Sequence, residues 1–209
     1  IKIKFEIKEI YKYAFPVFLA FLSLTAFYTI DVLIVKHFFS DVEAGYYAAL
    51  STIAKIIFFG TFSIGNVMFP KVTELNELKV RSTHLLYKSL MIMFFGGAVV
   101  VGFYFLFPEL VVKLLYGSSY LSISNMLGLF GVIMLLFSLC YLLALYNLSL
   151  HRLNFLYPLF LFNLLEAVLM FIFHESLMQI IWVFALVMFL LFAILLLMTV
   201  FGKNEAIHN

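Results

Sequence analysis

Four polar side chains sit inside stretches otherwise built from Phe, Leu, Ile and Val: Asp31, Lys55, Asn163 and Glu166. An ionisable group in hydrocarbon costs roughly 3 kcal/mol or more, so such groups persist where they pair or line a water-filled path. Asp31 and Lys55 carry opposite charges on consecutive apolar segments. Placed by helical rise, Asp31 lies roughly 12 Å and Lys55 roughly 18 Å below the same surface, and a lysine stem reaches about 6 Å. Two arrangements fit. The residues form a buried ion pair that holds two helices together, or they line a hydrophilic cavity where each partner is exchanged for an ion or a charged solute. Glu166 reaches a similar depth from the opposite surface, and Asn163, three residues earlier, shares its helix face. Those two either hydrogen-bond a neighbouring helix or join the same path.

Other chemistries lack their residues. There is no zinc-ligand spacing, no glycine-rich phosphate loop before a helix and no Ser-His-Asp grouping. His37, His84, His151, His174 and His208 all fall near segment ends, as solvated or interfacial side chains do. The single cysteine, Cys140, lies in an apolar run and has no partner for a bridge within the chain. The expectation is a protein that is not an enzyme and uses no cofactor and no metal.

The elements that must position these groups are membrane spans. Hydrophobic residues make up 66% of the 209 and charged residues 11%, against roughly 45–50% and about 25% in soluble domains. A mean hydropathy of +1.14 leaves too little polar surface to wrap a soluble core. Disorder, a disulfide scaffold and a nucleic-acid partner are excluded on the same ground.

A helix needs about 20 apolar residues to cross the hydrocarbon. Six segments meet this, at 14–38, 44–69, 84–107, 120–150, 154–173 and 177–201, preceded by a basic lead-in (1–13) and followed by a short tail (202–209). Stretches 13–30, 89–108, 114–150 and 176–202 contain no Asp, Glu, Lys or Arg. The fold class is all-α and polytopic, because barrel strands would show alternating segments of about 10 residues. Pro70 and Pro108 are placed as the ends of the second and third spans. Ser63, Gly65 and Asn66 give the second span a small, polar stripe, and Gly96, Gly97, Gly102, Gly128 and Gly131 are read as close-packing positions. Tyr46, Tyr47, Tyr116 and Tyr120 are assigned to the headgroup layer.

Orientation follows from Lys and Arg in the short connections. One set of ends carries Lys2, Lys4, Lys8, Lys12, Lys71, Lys79, Arg81, Lys88, Arg152 and Lys203; the other carries only Lys36 and Lys113. Ten against two puts both termini on the cytoplasmic side. The opening IKIKFEIKEIYK has no initiator Met and no signal peptide, as expected for a piece of a longer chain; Ile3, Ile7, Ile10 and Tyr11 at helical spacing favour an interfacial amphipathic helix over a solvated basic linker.

The segment YTIDVLIVKHFFSDVEAGYYAALSTIAKIIFF (28–59) resembles the hairpin that opens the C-terminal half of polysaccharide (lipid-linked oligosaccharide) flippases. These belong to the multidrug/oligosaccharidyl-lipid/polysaccharide superfamily. The matching features are Asp31 late in one helix, Val42-Glu43-Ala44-Gly45-Tyr46 opening the next, NVMFPKVTE (66–74), and FPELVVKLLYGSSY (107–120). The resemblance covers about residues 20–120 and is compositional beyond 150. It implies one six-helix lobe, the second, of a two-lobe MATE-like transporter, whose partner is another six-helix lobe, most simply a missing N-terminal half of the same chain. It further implies an inner-membrane protein that flips an isoprenoid-pyrophosphate-linked glycan among the membrane lipids by alternating access. It carries Asp31 and, by position, Lys55 onto cavity-lining helices and says little of Glu166 or Asn163. A cation-coupled multidrug exporter of the same superfamily and a non-transporting scaffold of a glycan-synthesis complex remain the alternatives.

Overall fold

A computed structural model describes residues 7–202. Its elements are α1 (Ile7–Phe27), α2 (Ile30–Phe38), α3 (Asp41–Glu77), α4 (Thr83–Leu106), α5 (Pro108–Tyr116), a 3-10 turn (Ser118–Ile123), α6 (Ser124–Ser149), α7 (Leu156–Ile172) and α8 (Leu177–Phe201). No strand occurs among the described residues. Residues 1–6 of the expected lead-in and 203–209 of the tail lie outside them.

Five stretches are long and apolar enough to cross a membrane: Ala14–Phe38, Asp41–Glu77, Thr83–Leu106, Ser118–Ser149 and Leu177–Phe201. The third and last match the expected spans almost residue for residue. The fifth expected span is α7, which is apolar but only 17 residues long, about 26 Å by helical rise against a hydrocarbon core of about 30 Å.

Two boundaries differ from expectation. The first span is not one helix: α1 ends at Phe27 and α2 begins at Ile30. At the break Thr29 donates its backbone N–H to Ala26 O (3.0 Å) and its hydroxyl to Thr25 O (2.8 Å). This tighter, side-chain-assisted turn interrupts the α-helical ladder. Pro70 does not end the second span; α3 runs through it to Glu77. A proline removes one ladder bond, here the one to Asn66 O, and the helix continues past it, with Thr73 Oγ1 donating to Phe69 O (3.0 Å) in the next turn. Pro108 behaves as expected: α4 stops at Leu106, and the proline opens the short helix α5.

The turn between α2 and α3 is fixed by a capping box. Ser40 Oγ accepts from Glu43 N (3.3 Å), and Glu43 Oε2 accepts from Ser40 N (3.2 Å), satisfying two otherwise open donors. That sharp start lays α3 antiparallel against α2.

α6 is the axis of the bundle. It packs against α3, α4 and α8, and its residues from Phe137 to Ser149 are all buried. Small residues allow the close approach. A methyl group on Gly97 would stand 2.5 Å from Leu135 Cδ1, and one on Gly128 would stand 2.5 Å from Phe105. Gly65 faces Tyr141 and Leu145, and Gly131 faces Tyr104, at 3.0–3.1 Å. Gly96 and Gly102 have open space where a methyl would sit, so the packing role expected for them is not found.

Candidate functional site

The break at 28–29 puts Asp31 in the first turn of α2, and α2 packs against both α3 and α7. Asp31 is fully buried there, at 0% exposure. The peptide dipoles of a helix N-terminus favour a carboxylate in that first turn. Tyr47 Oη donates to Asp31 Oδ2 at 3.0 Å, while Asp31 Oδ1 has no partner.

Glu166 on α7 is equally buried, and neither of its carboxyl oxygens has a hydrogen-bond partner. It lies within electrostatic range of Asp31. One turn earlier, Asn163 Nδ2, with two hydrogens to give, has Ser23 O (3.0 Å), Leu159 O (3.0 Å) and Ser23 Oγ as acceptors within reach. It thereby ties α7 to α1. Asn163 Oδ1 is left over, as is Ser51 Oγ on α3. Buried polar atoms are nearly always paired, so the open oxygens of Asp31, Glu166, Asn163 and Ser51 each leave room for a proton, a cation or water. Among the described residues no three His, Cys, Asp or Glu side chains converge in the manner of a metal site.

Lys55 makes no contact with this interior group, although it lies within electrostatic range of Asp31. It is half-buried, with Nζ 5.5 Å from the centroid of the Tyr28 ring, a distance at which the ring face attracts a cation. The expected ion pair with Asp31 is not formed: Asp31 bonds Tyr47, and the ion pairs among the described residues are Lys36–Asp41 and Lys71–Glu74. The reason is hairpin geometry. Counted from the Ser40 turn, Asp31 lies nine residues before and Tyr47 seven after, so the two stand level. Lys55 is eight residues further along α3, about 12 Å, beyond the reach of its stem.

Tyr47 is therefore the residue that sequence reasoning misplaced. Expected at the headgroup layer, it is wholly buried and packs edge-on against Phe130 at 5.5 Å. The signal was present in the near-equal spacing of Asp31 and Tyr47 about the capping box. Tyr46, Tyr116 and Tyr120 do cluster at one end of the bundle, with centroid separations of 5.2–5.3 Å.

Lys55 instead shares a polar surface. Thr25 and Thr29 are exposed beside Tyr28, and Thr52, Ser63 and Asn66 are exposed along α3. Asn66 Oδ1 accepts from Tyr141 Oη at 3.2 Å. Phe59, one turn beyond Lys55, is exposed among these polar residues at 62%, and elsewhere the exposed middle of the bundle is largely Phe, Leu, Ile and Val. A stripe of hydroxyls and an amide around one deep ammonium is suited to water and an anionic solute.

Compared with known proteins, the family described as polysaccharide biosynthesis protein matches residues 1–125. That stretch holds α1 to α5, the polar stripe, Asp31, Tyr47 and Lys55; Asn163 and Glu166 lie beyond it. No curated protein and no solved structure matches the chain.

Proposed function

The chain belongs to the polysaccharide biosynthesis protein family, and on that premise we propose that it is one lobe of a lipid-linked oligosaccharide flippase of the inner membrane. In this reading α7 is a sixth span, both termini are cytoplasmic, and the lobe works with a second six-helix lobe. The two rock about a central cavity. The sugar-pyrophosphate headgroup crosses along the polar stripe, while the isoprenoid tail stays among the membrane lipids.

The observation that carries this reading is Lys55. It is an ammonium deep in a span, without a carboxylate partner, on the polar face of an otherwise apolar bundle. It attracts the pyrophosphate. Asp31, Tyr47 and Glu166 sit behind it, inside the lobe, where uptake and release of a proton or cation would bias the packing of α2 between α3 and α7. The membrane-embedded helices and the family support a role in polysaccharide synthesis within a membrane.

In the intact protein Lys55→Gln abolishes or sharply reduces glycan export, and Lys55→Arg retains part of it, since arginine keeps the charge in a different shape. A second reading draws on the two unpartnered carboxyls: a cation-coupled drug exporter would use them for cationic cargo. Normal glycan export by Lys55→Gln, together with loss of cationic dye efflux in Asp31→Asn, would give the assignment to that reading.

A further inference from the structure

The two connections at one end of the bundle, α3–α4 and α6–α7, are held side by side: Ser82, in the first, bonds the Tyr146 hydroxyl near the C-terminus of α6 at 3.2 Å, and both residues are buried. Two non-glycine residues among those described have a left-handed backbone, Lys79 (φ 55°) and His151 (φ 57°). Both are basic, and each follows the end of a helix at this same place. Glycine would adopt that conformation without the cost, about 1–2 kcal/mol for other L-residues, but would bring no side chain. Backbone strain of this kind is retained where it serves a purpose.

The surface these turns present is alternately basic and apolar. Leu78, Lys79, Val80 and Arg81 are all exposed, with Leu78 at 64% and Val80 at 51%. Lys88 is exposed one to two turns into α4, and Arg152 is partly exposed in the neighbouring connection, flanked by exposed Leu153. Between residues 71 and 88, together with Arg152, five Lys and Arg face two Glu, and one of those, Glu74, is paired with Lys71 at 2.8 Å. The opposite end is the reverse, with Lys36 and Lys113 against Asp41, Glu43, Glu109 and Glu175.

We infer that this end is a binding surface for anionic phospholipid headgroups. Lys79, Arg81, Lys88 and Arg152 contact the phosphates, and Leu78, Val80 and Leu153 insert at the acyl boundary. The charge complementarity and the apolar residues between the cations favour a lipid surface over a soluble acidic partner. The surface is separate from the polar stripe around Lys55, and it does not depend on which way the protein is oriented.

The test uses purified protein in neutral detergent, titrated with dioleoyl phosphatidylglycerol or dioleoyl phosphatidylcholine. Retained lipid is counted by native mass spectrometry. The glycerol lipid should be retained in preference to the choline lipid, and more weakly at high salt, where exposed charges are screened. Arg81→Gln, Lys88→Gln and Arg152→Gln should each reduce that preference about fivefold, whereas Lys36→Gln and Lys113→Gln at the opposite end leave it unchanged. Lys79→Gly should weaken lipid retention while raising thermal stability, a combination that mere misfolding would not give. Equal retention of the two lipids overturns the proposal, as does a preference that survives the three substitutions or that is lost with Lys36→Gln.

Discussion

At the residue scale, the central fact is that Asp31 is served by a phenol rather than an ammonium. A hydrogen bond to a charged or buried group contributes roughly 1.5–3 kcal/mol, and residues sharing such a bond show non-additive mutational effects. In a double-mutant cycle read by thermal denaturation in detergent, Asp31→Asn and Tyr47→Phe should be coupled by about 1–3 kcal/mol. The same cycle run with Asp31→Asn and Lys55→Gln should show weaker coupling than the Tyr47 cycle, because Lys55 acts on Asp31 through space and without contact. Strong coupling to Lys55 with none to Tyr47 would restore the buried ion pair and remove the free ammonium on which the flippase reading rests.

At the scale of elements, α6 is held by glycines that admit their neighbours and not by a longer list of equivalent small residues. Gly96 and Gly97 are adjacent in sequence and opposite in role. A methyl at Gly97 meets Leu135 at 2.5 Å and Ile57 at 3.4 Å, while one at Gly96 meets nothing within 4 Å. Overpacking of a filled site costs roughly 1–3 kcal/mol, and replacing an exposed helical glycine with alanine is favourable by up to about 1 kcal/mol. Gly97→Ala should therefore lower the melting temperature of the purified protein, and Gly96→Ala should leave it unchanged or raise it. Equal effects at the two positions would mean that α4 and α6 are further apart than the structure has them.

At the scale of the whole molecule, the open quantity is how many times the chain crosses. Native Cys140 is fully buried, so it gives a silent background for cysteine labelling. With ten basic residues against two setting orientation, Asp41→Cys should be labelled from outside the cell and Glu77→Cys should not. Glu175→Cys, in the connection after α7, decides whether 17 apolar residues span the bilayer. Labelling from outside makes α7 a sixth span; labelling only from inside makes it re-entrant or tilted within one leaflet, and the two-lobe geometry fails with it.

The sequence by itself determined the solvent, the element type and most span positions, because each rests on local composition and on the length needed to cross hydrocarbon. It also singled out the residues worth following: Asp31, Lys55, Asn163 and Glu166 are legible as polar interruptions of apolar runs. Only the tertiary structure decided which of them meet. Pairing across helices depends on register about the turn, and the Ser40 capping box sets that register so that Tyr47, not Lys55, stands level with Asp31. The break before Ile30 and the passage of α3 through Pro70 were hidden for a related reason. Whether a helix stops or continues at such a residue depends on the packing around it as well as on residue type, so neither the turn at Thr29 nor the passage through Pro70 follows from the local sequence alone. The split of the four polar residues into an interior carboxyl group and an outward-facing ammonium is likewise a property of rotation about the helix axes, which composition and spacing along a single span do not fix.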